Sequence, residues 1–289
     1  MLRAMANSQQ NSPAAEIGVI GGTGLYALVD DLVEVAVETP YGPPSDSLFV
    51  GELAGRQVAF LPRHGRDHRI PPHRINYRAN LWALRSLGVR QVLGPCATGG
   101  LRAEHGPGTL LVPDQFVDRT SGRTQTFYDG ERRADGRTSE VVHVSAADPY
   151  CPVGRAVAVK AAGTAGWEAV DGGTLVVIEG PRFSTRAESR WYGAQGWSVI
   201  GMTGHPEAVL ARELGLCYTS VAVVTDLDAG VESGEGVTHT EVLRVFAGSI
   251  DRLRGVLTGA VAALPRTAER DCLCSHALDG LETGLGLEP

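Results

Sequence analysis

The chain lacks most of the features that announce a specialised class. No apolar run approaches the roughly 18 residues that a membrane-crossing helix requires, so no membrane partner is expected. Basic residues are in deficit, with 26 Lys and Arg against 33 Asp and Glu and a net charge of −7. Nucleic acid is therefore a poor partner, because a phosphate backbone asks for a basic face. Cysteine is scarce and odd in number: Cys96, Cys151, Cys217, Cys272 and Cys274, without framework spacing. That excludes a disulfide scaffold and suits a reducing, cytoplasmic setting. The cluster Cys272-Leu273-Cys274-Ser275-His276 matches no zinc spacing and is expected to be an uninvolved piece of tail. His-Glu-x-x-His, a zinc quartet and a Gly-x-Ser-x-Gly elbow are all missing, so the expected chemistry uses no metal, no bound cofactor and no protein nucleophile. No repeat, low-complexity stretch or linker divides the sequence. The expected layout is a disordered, signal-free lead-in over residues 1–15, one domain over 16–264, and a tail over 265–289.

What the chain does contain is a recurring unit of apolar strand, small or polar residues, then helix. The strand Ile17–Ile20 runs into Gly21-Gly22-Thr23-Gly24, where glycines let backbone N–H groups approach an anion. The order is neither a dinucleotide fingerprint nor a P-loop. Strand Val58–Leu61 is closed by Pro62 and followed by Arg63-His64-Gly65-Arg66-Asp67-His68-Arg69, a concentration of cationic donors in an acidic protein. Strand Val89–Gly94 leads into Pro95-Cys96-Ala97-Thr98-Gly99-Gly100, expected as a second small-residue loop. Strand Thr174–Ile178 ends in Glu179-Gly180-Pro181-Arg182-Phe183-Ser184. Residues 119–137 are polar and expected as a long surface excursion. Helices are expected over 75–87, 152–162, 187–192, 206–214 and 238–264, and a further short strand over 199–202.

The uncharged β-branched run from Tyr218 to Val224 is the strongest strand signal, and it stops at Thr225-Asp226-Leu227-Asp228. Residues i and i+2 of an extended chain point the same way, so Asp226 and Asp228 share one side of a strand's carboxyl end. Ligands bind at such ends in open α/β sheets. Neighbouring carboxyls do not ionise together easily, which makes one of them a candidate general acid. Taken together, the strand ends describe an anion pocket facing a pair of carboxyl groups.

Several long blocks resemble one family. They are Ile20-Gly21-Gly22-Thr23-Gly24, Arg63-His64-Gly65-Arg66, Asn76-Tyr77-Arg78-Ala79-Asn80, Asp114-Gln115-Phe116-Val117-Asp118-Arg119-Thr120, Ile178-Glu179-Gly180-Pro181-Arg182-Phe183-Ser184, Met202-Thr203 and Thr225-Asp226-Leu227-Asp228. From about Ile17 to Leu264 the chain is similar to the trimeric purine nucleoside phosphorylase superfamily, in its 5′-methylthioadenosine phosphorylase branch. The resemblance implies a single α/β domain, with a central mixed, partly barrel-like sheet flanked by helices, assembled as a homotrimer. It implies a pentosyltransferase that uses inorganic phosphate as co-substrate to release adenine from a 6-aminopurine nucleoside. Carried across residue by residue, it puts phosphate beside Thr23, Arg63, His64, Ala97 and Thr203, ribose on Met202, and the purine among Phe183, Ser184, Asp226 and Asp228. Asp226 then protonates purine N7 as the base leaves.

Two departures from the branch stand out. Cys96 occupies a phosphate-loop position that usually holds threonine, and a thiol is the weaker donor. His239 begins Thr240-Glu241-Val242-Leu243 where the branch usually has an apolar residue facing the 5′ substituent, so His239, Val242 and Leu243 are the expected 5′ contacts. Three rival readings stay open: a 6-oxopurine nucleoside phosphorylase, an NAD(H)-binding dehydrogenase built on the Gly21–Gly24 turn, and a non-catalytic nucleoside-binding protein.

Overall fold

A computed structural model of the chain describes residues 13–22, 29, 31–131, 140–231 and 236–287. Eleven strands join in one mixed sheet: β1 (Ile17–Gly21), β2 (Val33–Val35), β3 (Leu48–Leu53), β4 (Arg56–Pro62), β5 (Gln91–Gly100), β6 (Leu110–Val112), β7 (Gln115–Arg119), β8 (Ala169–Asp171), β9 (Thr174–Ile178), β10 (Val199–Gly201) and β11 (Cys217–Leu227). Among the described residues five α-helices flank it: α1 (Tyr77–Ser86), α2 (Pro152–Thr164), α3 (Arg186–Ala194), α4 (Gly204–Glu213) and α5 (His239–Ala263). The sheet runs β2-β3-β4-β1-β5-β10-β9-β7, while β11, β6 and β8 branch from the other edge of β5. Strands β1 and β11 are buried almost throughout because helices cover both faces, which explains their unbroken apolar runs. α1 and α4 pack with Leu48, Leu61 and Leu81 in one core; α2 and α5 pack with Ile17, Phe60, Val221 and Val223 in another. Between the two branches, Leu111, Leu175, Val177, Val199, Ala222 and Val224 meet in a third cluster, giving this part of the sheet its closed, barrel-like curvature.

β5 is the pivot. Along one edge it pairs with β11 over nearly its full length. Along the other it pairs parallel with β1 through Gln91–Leu93, then antiparallel with β10 at Gly99 and Gly100. Residues 94–98 thus face the space between two departing strands, and a cleft opens there. The expected loop after Gly94 is corrected: Pro95 to Gly100 continue the strand. The small residues are required by close neighbours rather than by a turn. A side chain at Gly94 would collide with the Tyr218 hydroxyl, and one at Gly100 with the His105 carbonyl.

The excursion beyond Arg119 is largely exposed over its described part, as expected, but it is anchored at two points. Phe127 is buried, and its N–H and the Thr126 hydroxyl are both accepted by Glu213 of α4. Arg123 threads beneath the cleft and donates to the carbonyls of Met202, His205, Ile178 and Glu179. The described part is thus a surface segment pinned to the domain by Phe127 and Arg123; residues 132–139 lie outside the described set.

Candidate active site

The cleft has a volume of about 630 Å³ and collects every strand end singled out above. Its lining includes Arg63, His64, Ala97, Phe183, Ser184, Met202, Thr203, Asp226, Asp228, His239, Val242 and Leu243, all of the expected site residues within the described set. Thr23 lies outside it; Gly22, its neighbour, is on the wall.

The carboxyl end is built by β11. Its register against β5 slips between Val224 and Asp226, so Thr225 is an extra residue and the strand turns its last carboxyl into the cleft. Asp226 and Asp228 straddle Gly99. A Cβ added there would stand 3.0 Å from Asp226 Oδ1 and 3.5 Å from Asp228 Cβ, so glycine keeps room for both. Burial pushes the Asp226 carboxyl up to about 6, and the nearby Asp228 adds to this, against the Thr225 hydroxyl that donates to Oδ2 at 2.8 Å. Asp228 is also raised by burial, against the Ser189 hydroxyl, the Ala229 N–H and the neighbouring Ser184 hydroxyl. Among the described residues, neither Asp228 Oδ2 nor Ser184 Oγ forms a close hydrogen bond, although both are buried. Such groups are costly unless a ligand completes them.

The opposite end is built by the loop after β4. Arg63 is buried, and four of the five N–H groups of a guanidinium are spoken for: Nε and Nη2 to Glu207, Nη1 to the Pro95 carbonyl, and Nη2 to the Ile20 carbonyl. This modifies its expected part in holding an anion. One Nη1–H is left for a ligand, and the charge is balanced by Glu207, which is itself held by the Tyr218 hydroxyl at 2.6 Å. His64 donates from Nδ1 to the Ile70 carbonyl at 2.8 Å, so in the neutral ring Nε2 is the acceptor. Burial, with Arg63 beside it, depresses His64 to about 4 despite that carbonyl. Thr203 caps α4 without a side-chain cap bond, which leaves its hydroxyl to the cleft. Ala97 is the one exposed residue within β5.

The mouth is formed by His68 and by the first turns of α5. His68 has a left-handed backbone (φ 52) and its ring lies 4.7 Å from that of His64. It is lowered first by burial and then by the proximity of His239, which fixes His239 at the rim beside it. Val242, Leu243 and Phe246 complete this wall.

A model of the phosphorylase superfamily matches residues 16–262. The chain belongs to that superfamily. Among its relatives, a purine nucleoside phosphorylase of Streptomyces coelicolor is 72% identical over 96% of this chain and 99% of that protein. An S-methyl-5′-thioadenosine phosphorylase of Mycolicibacterium smegmatis is 52% identical over 91% and 95%. A methylthioadenosine phosphorylase from an antarctic soil metagenomic library superimposes with a TM-score of 0.84 at 39% identity, covering 93% of this chain and 92% of that one. The methylthioadenosine phosphorylase of Schistosoma mansoni, in complex with adenine, gives 0.82 at 37% identity, over 89% and 93%. As a superfamily member on the methylthioadenosine phosphorylase branch, the chain is a pentosyltransferase of the nucleoside phosphorylase type. Among the described residues no helix is long and apolar enough to cross a membrane.

Sequence reasoning missed three parts of this phosphorylase site. Glu207 and Tyr218 hold Arg63, and Arg123 fixes the two loops that carry Met202 and Ile178. Each is a single polar residue inside an ordinary-looking segment. Glu207 left no signal of its own, because its helix also carries His205, Arg212 and Glu213.

Proposed function

We propose that this phosphorylase acts on 6-aminopurine nucleosides, 5′-methylthioadenosine or adenosine among them, releasing adenine and an α-pentose 1-phosphate. The observation that carries the choice of base is the buried Asp228 Oδ2 beside Asp226, an acceptor that forms no close hydrogen bond among the described residues. An exocyclic amine donates a hydrogen bond to such an oxygen, whereas the 6-oxo group of inosine would present one acceptor to another. A site built to pair with a donor rejects the analogue lacking it by a large factor.

In this reading phosphate lies against Thr203, Ala97, His64, the free N–H of Arg63 and Thr23. A phosphate oxygen forms the new bond to C1′ as the C1′–N9 bond breaks. The departing electron pair passes into the purine, and N7 takes the proton of Asp226. Positive charge developing on the pentose is stabilised by the phosphate held against it. An acid that titrates near 6 is well matched to this duty, since general acids work best close to the operating pH. Met202 lies under the ribose, and the assembly is a homotrimer.

The test incubates the protein with phosphate and, separately, adenosine, methylthioadenosine, inosine and methylthioinosine, and measures free base. Adenine release that depends on phosphate, with hypoxanthine release at least tenfold slower, is the expected result. Preference for the 6-oxo pair overturns the assignment of the base. Release without phosphate overturns phosphorolysis.

A further inference from the structure

Four of the five cysteines, far apart in sequence, meet in one buried cluster on the side of the domain where β11 begins. Cys151 caps α2, Cys217 opens β11, and Cys272 and Cys274 come from the segment after α5. This corrects the expectation that Cys272–His276 is an uninvolved tail. His276 does remain outside the cluster, exposed and paired with Asp271 and Asp279. The four Sγ atoms all lie within 4.8 Å of one another, with Cys151–Cys272 at 3.8 Å and Cys217–Cys272 at 3.3 Å. A tetrahedral ion with bonds of about 2.3 Å to sulfur sets its ligands about 3.8 Å apart. One of the two close spacings equals that value, the other is shorter, and none of the six exceeds 4.8 Å.

We propose that these four cysteines form a closed structural site for a soft divalent metal ion of the zinc class. Beyond the spacing, the surroundings suit thiolates better than thiols. The Gly154 N–H, in the first turn of α2, points at Cys151 Sγ at 3.4 Å. The Arg270 guanidinium donates to Cys217 Sγ at 3.4 Å while also holding the carbonyls of Arg90 and Gly215. N–H and cationic donors to sulfur are the outer contacts that orient thiolate ligands and offset their charge. Four thiolates around a divalent ion leave two negative charges, which the Arg270 cation and the positive end of α2 face directly. The four thiol protons leave to solvent as the metal enters, and nothing is oxidised.

With four protein ligands no position stays open for substrate, so the ion is structural. It ties residues 272 and 274 to the first residue of β11, the strand that presents Asp226 at its other end. The spacing Cys-x-Cys with two distant partners has no signature in the sequence, which is why the pattern went unread.

The test uses the full chain, produced in zinc-supplemented culture and purified without chelator. Elemental analysis should find about one zinc per chain. Replacement by Co²⁺ should give a thiolate-to-cobalt charge-transfer band in the near ultraviolet, together with tetrahedral d–d bands. The double variant Cys272→Ser/Cys274→Ser should lose both signals and melt lower. Should that variant fail to fold, zinc release from the wild-type chain on titration with an organomercurial, followed with a chromogenic chelator, reads the same site. Intact mass showing one or two disulfides among these cysteines overturns the proposal. So do four free thiols that carry no metal and take up no Co²⁺ after reduction.

Discussion

Arg63 and Glu207 form a two-point ion pair, Nε to Oε1 at 2.6 Å and Nη2 to Oε2 at 3.0 Å, with neither side chain reaching solvent. Removing one partner of a buried pair strands the other, at a cost of about 3–5 kcal/mol. Arg63→Ala should therefore lower the unfolding free energy by that order as well as weaken phosphate binding. The double variant Arg63→Ala/Glu207→Ala should lose clearly less than the sum of the two single changes in urea titrations. Additive losses would mean that the pair is not coupled and that Arg63 acts on phosphate alone.

Asp226 makes a separate prediction about pH. Its carboxyl titrates near 6 in the folded chain and near 4 when unfolded. The folded state thus holds the proton more tightly, and stability is fully present below about pH 4 and is lost as pH rises through 6. The loss by pH 7 is about 3 kcal/mol, on the usual 1.36 kcal/mol for each pH unit of displacement. Asp226→Asn should flatten this slope and melt higher at pH 7, while turnover of adenine nucleosides falls by at least about 10² and inosine gains relative to adenosine. An unchanged base preference in that variant would remove Asp226 from the purine site.

In the proposed reading His64 couples phosphate binding to protons. With Nδ1 given to the Ile70 carbonyl, Nε2 of the neutral ring is an acceptor, so an anion set against it needs a proton on the ring or on the phosphate. Arg63 and His68 both disfavour charge on the ring. One proton taken up with each anion makes the phosphate KM rise about tenfold per pH unit once phosphate begins to lose its second proton. The slope should vanish in His64→Gln, and a wild-type KM independent of pH would exclude the coupling.

At the rim, a neutral imidazole pairs with a 5′-hydroxyl better than with a thioether. His239→Val should move the ratio of kcat/KM toward methylthioadenosine and away from adenosine by about tenfold, or about 1.4 kcal/mol. Val242 and Leu243 keep the apolar wall in both enzymes. A ratio that stays put assigns His239 to solvent.

How much of this was legible follows from the kind of signal each part leaves. β11 was readable because a buried strand must be apolar from end to end, and its polar stop at Asp226 was readable for the same reason. The second half of β5 was not, since Gly94, Pro95, Gly99 and Gly100 oppose strand propensity, and only Tyr218, His105 and the two aspartates explain them. β2, β3, β7 and β8 also went unnoticed. Three of them are three to five residues long, and partly exposed strands such as β2 and β7 leave no apolar run. The cleft residues came from strand ends and family motifs. The supporting Glu207, Arg123 and the cysteine cluster are products of tertiary contact, which a linear pattern does not record.

Because β5 exchanges one neighbour for another midway, the floor of the cleft is main chain bounded by a break in hydrogen bonding. A side chain added there, at Gly99 above all, would press on the two aspartates or move a strand. The helix start at the mouth is different: His239, Val242 and Leu243 are side chains that belong to none of the cores on the sheet. In the proposed reading that mouth holds the sugar's 5′ end, so divergence among relatives, and selectivity engineered into inhibitors, should concentrate there.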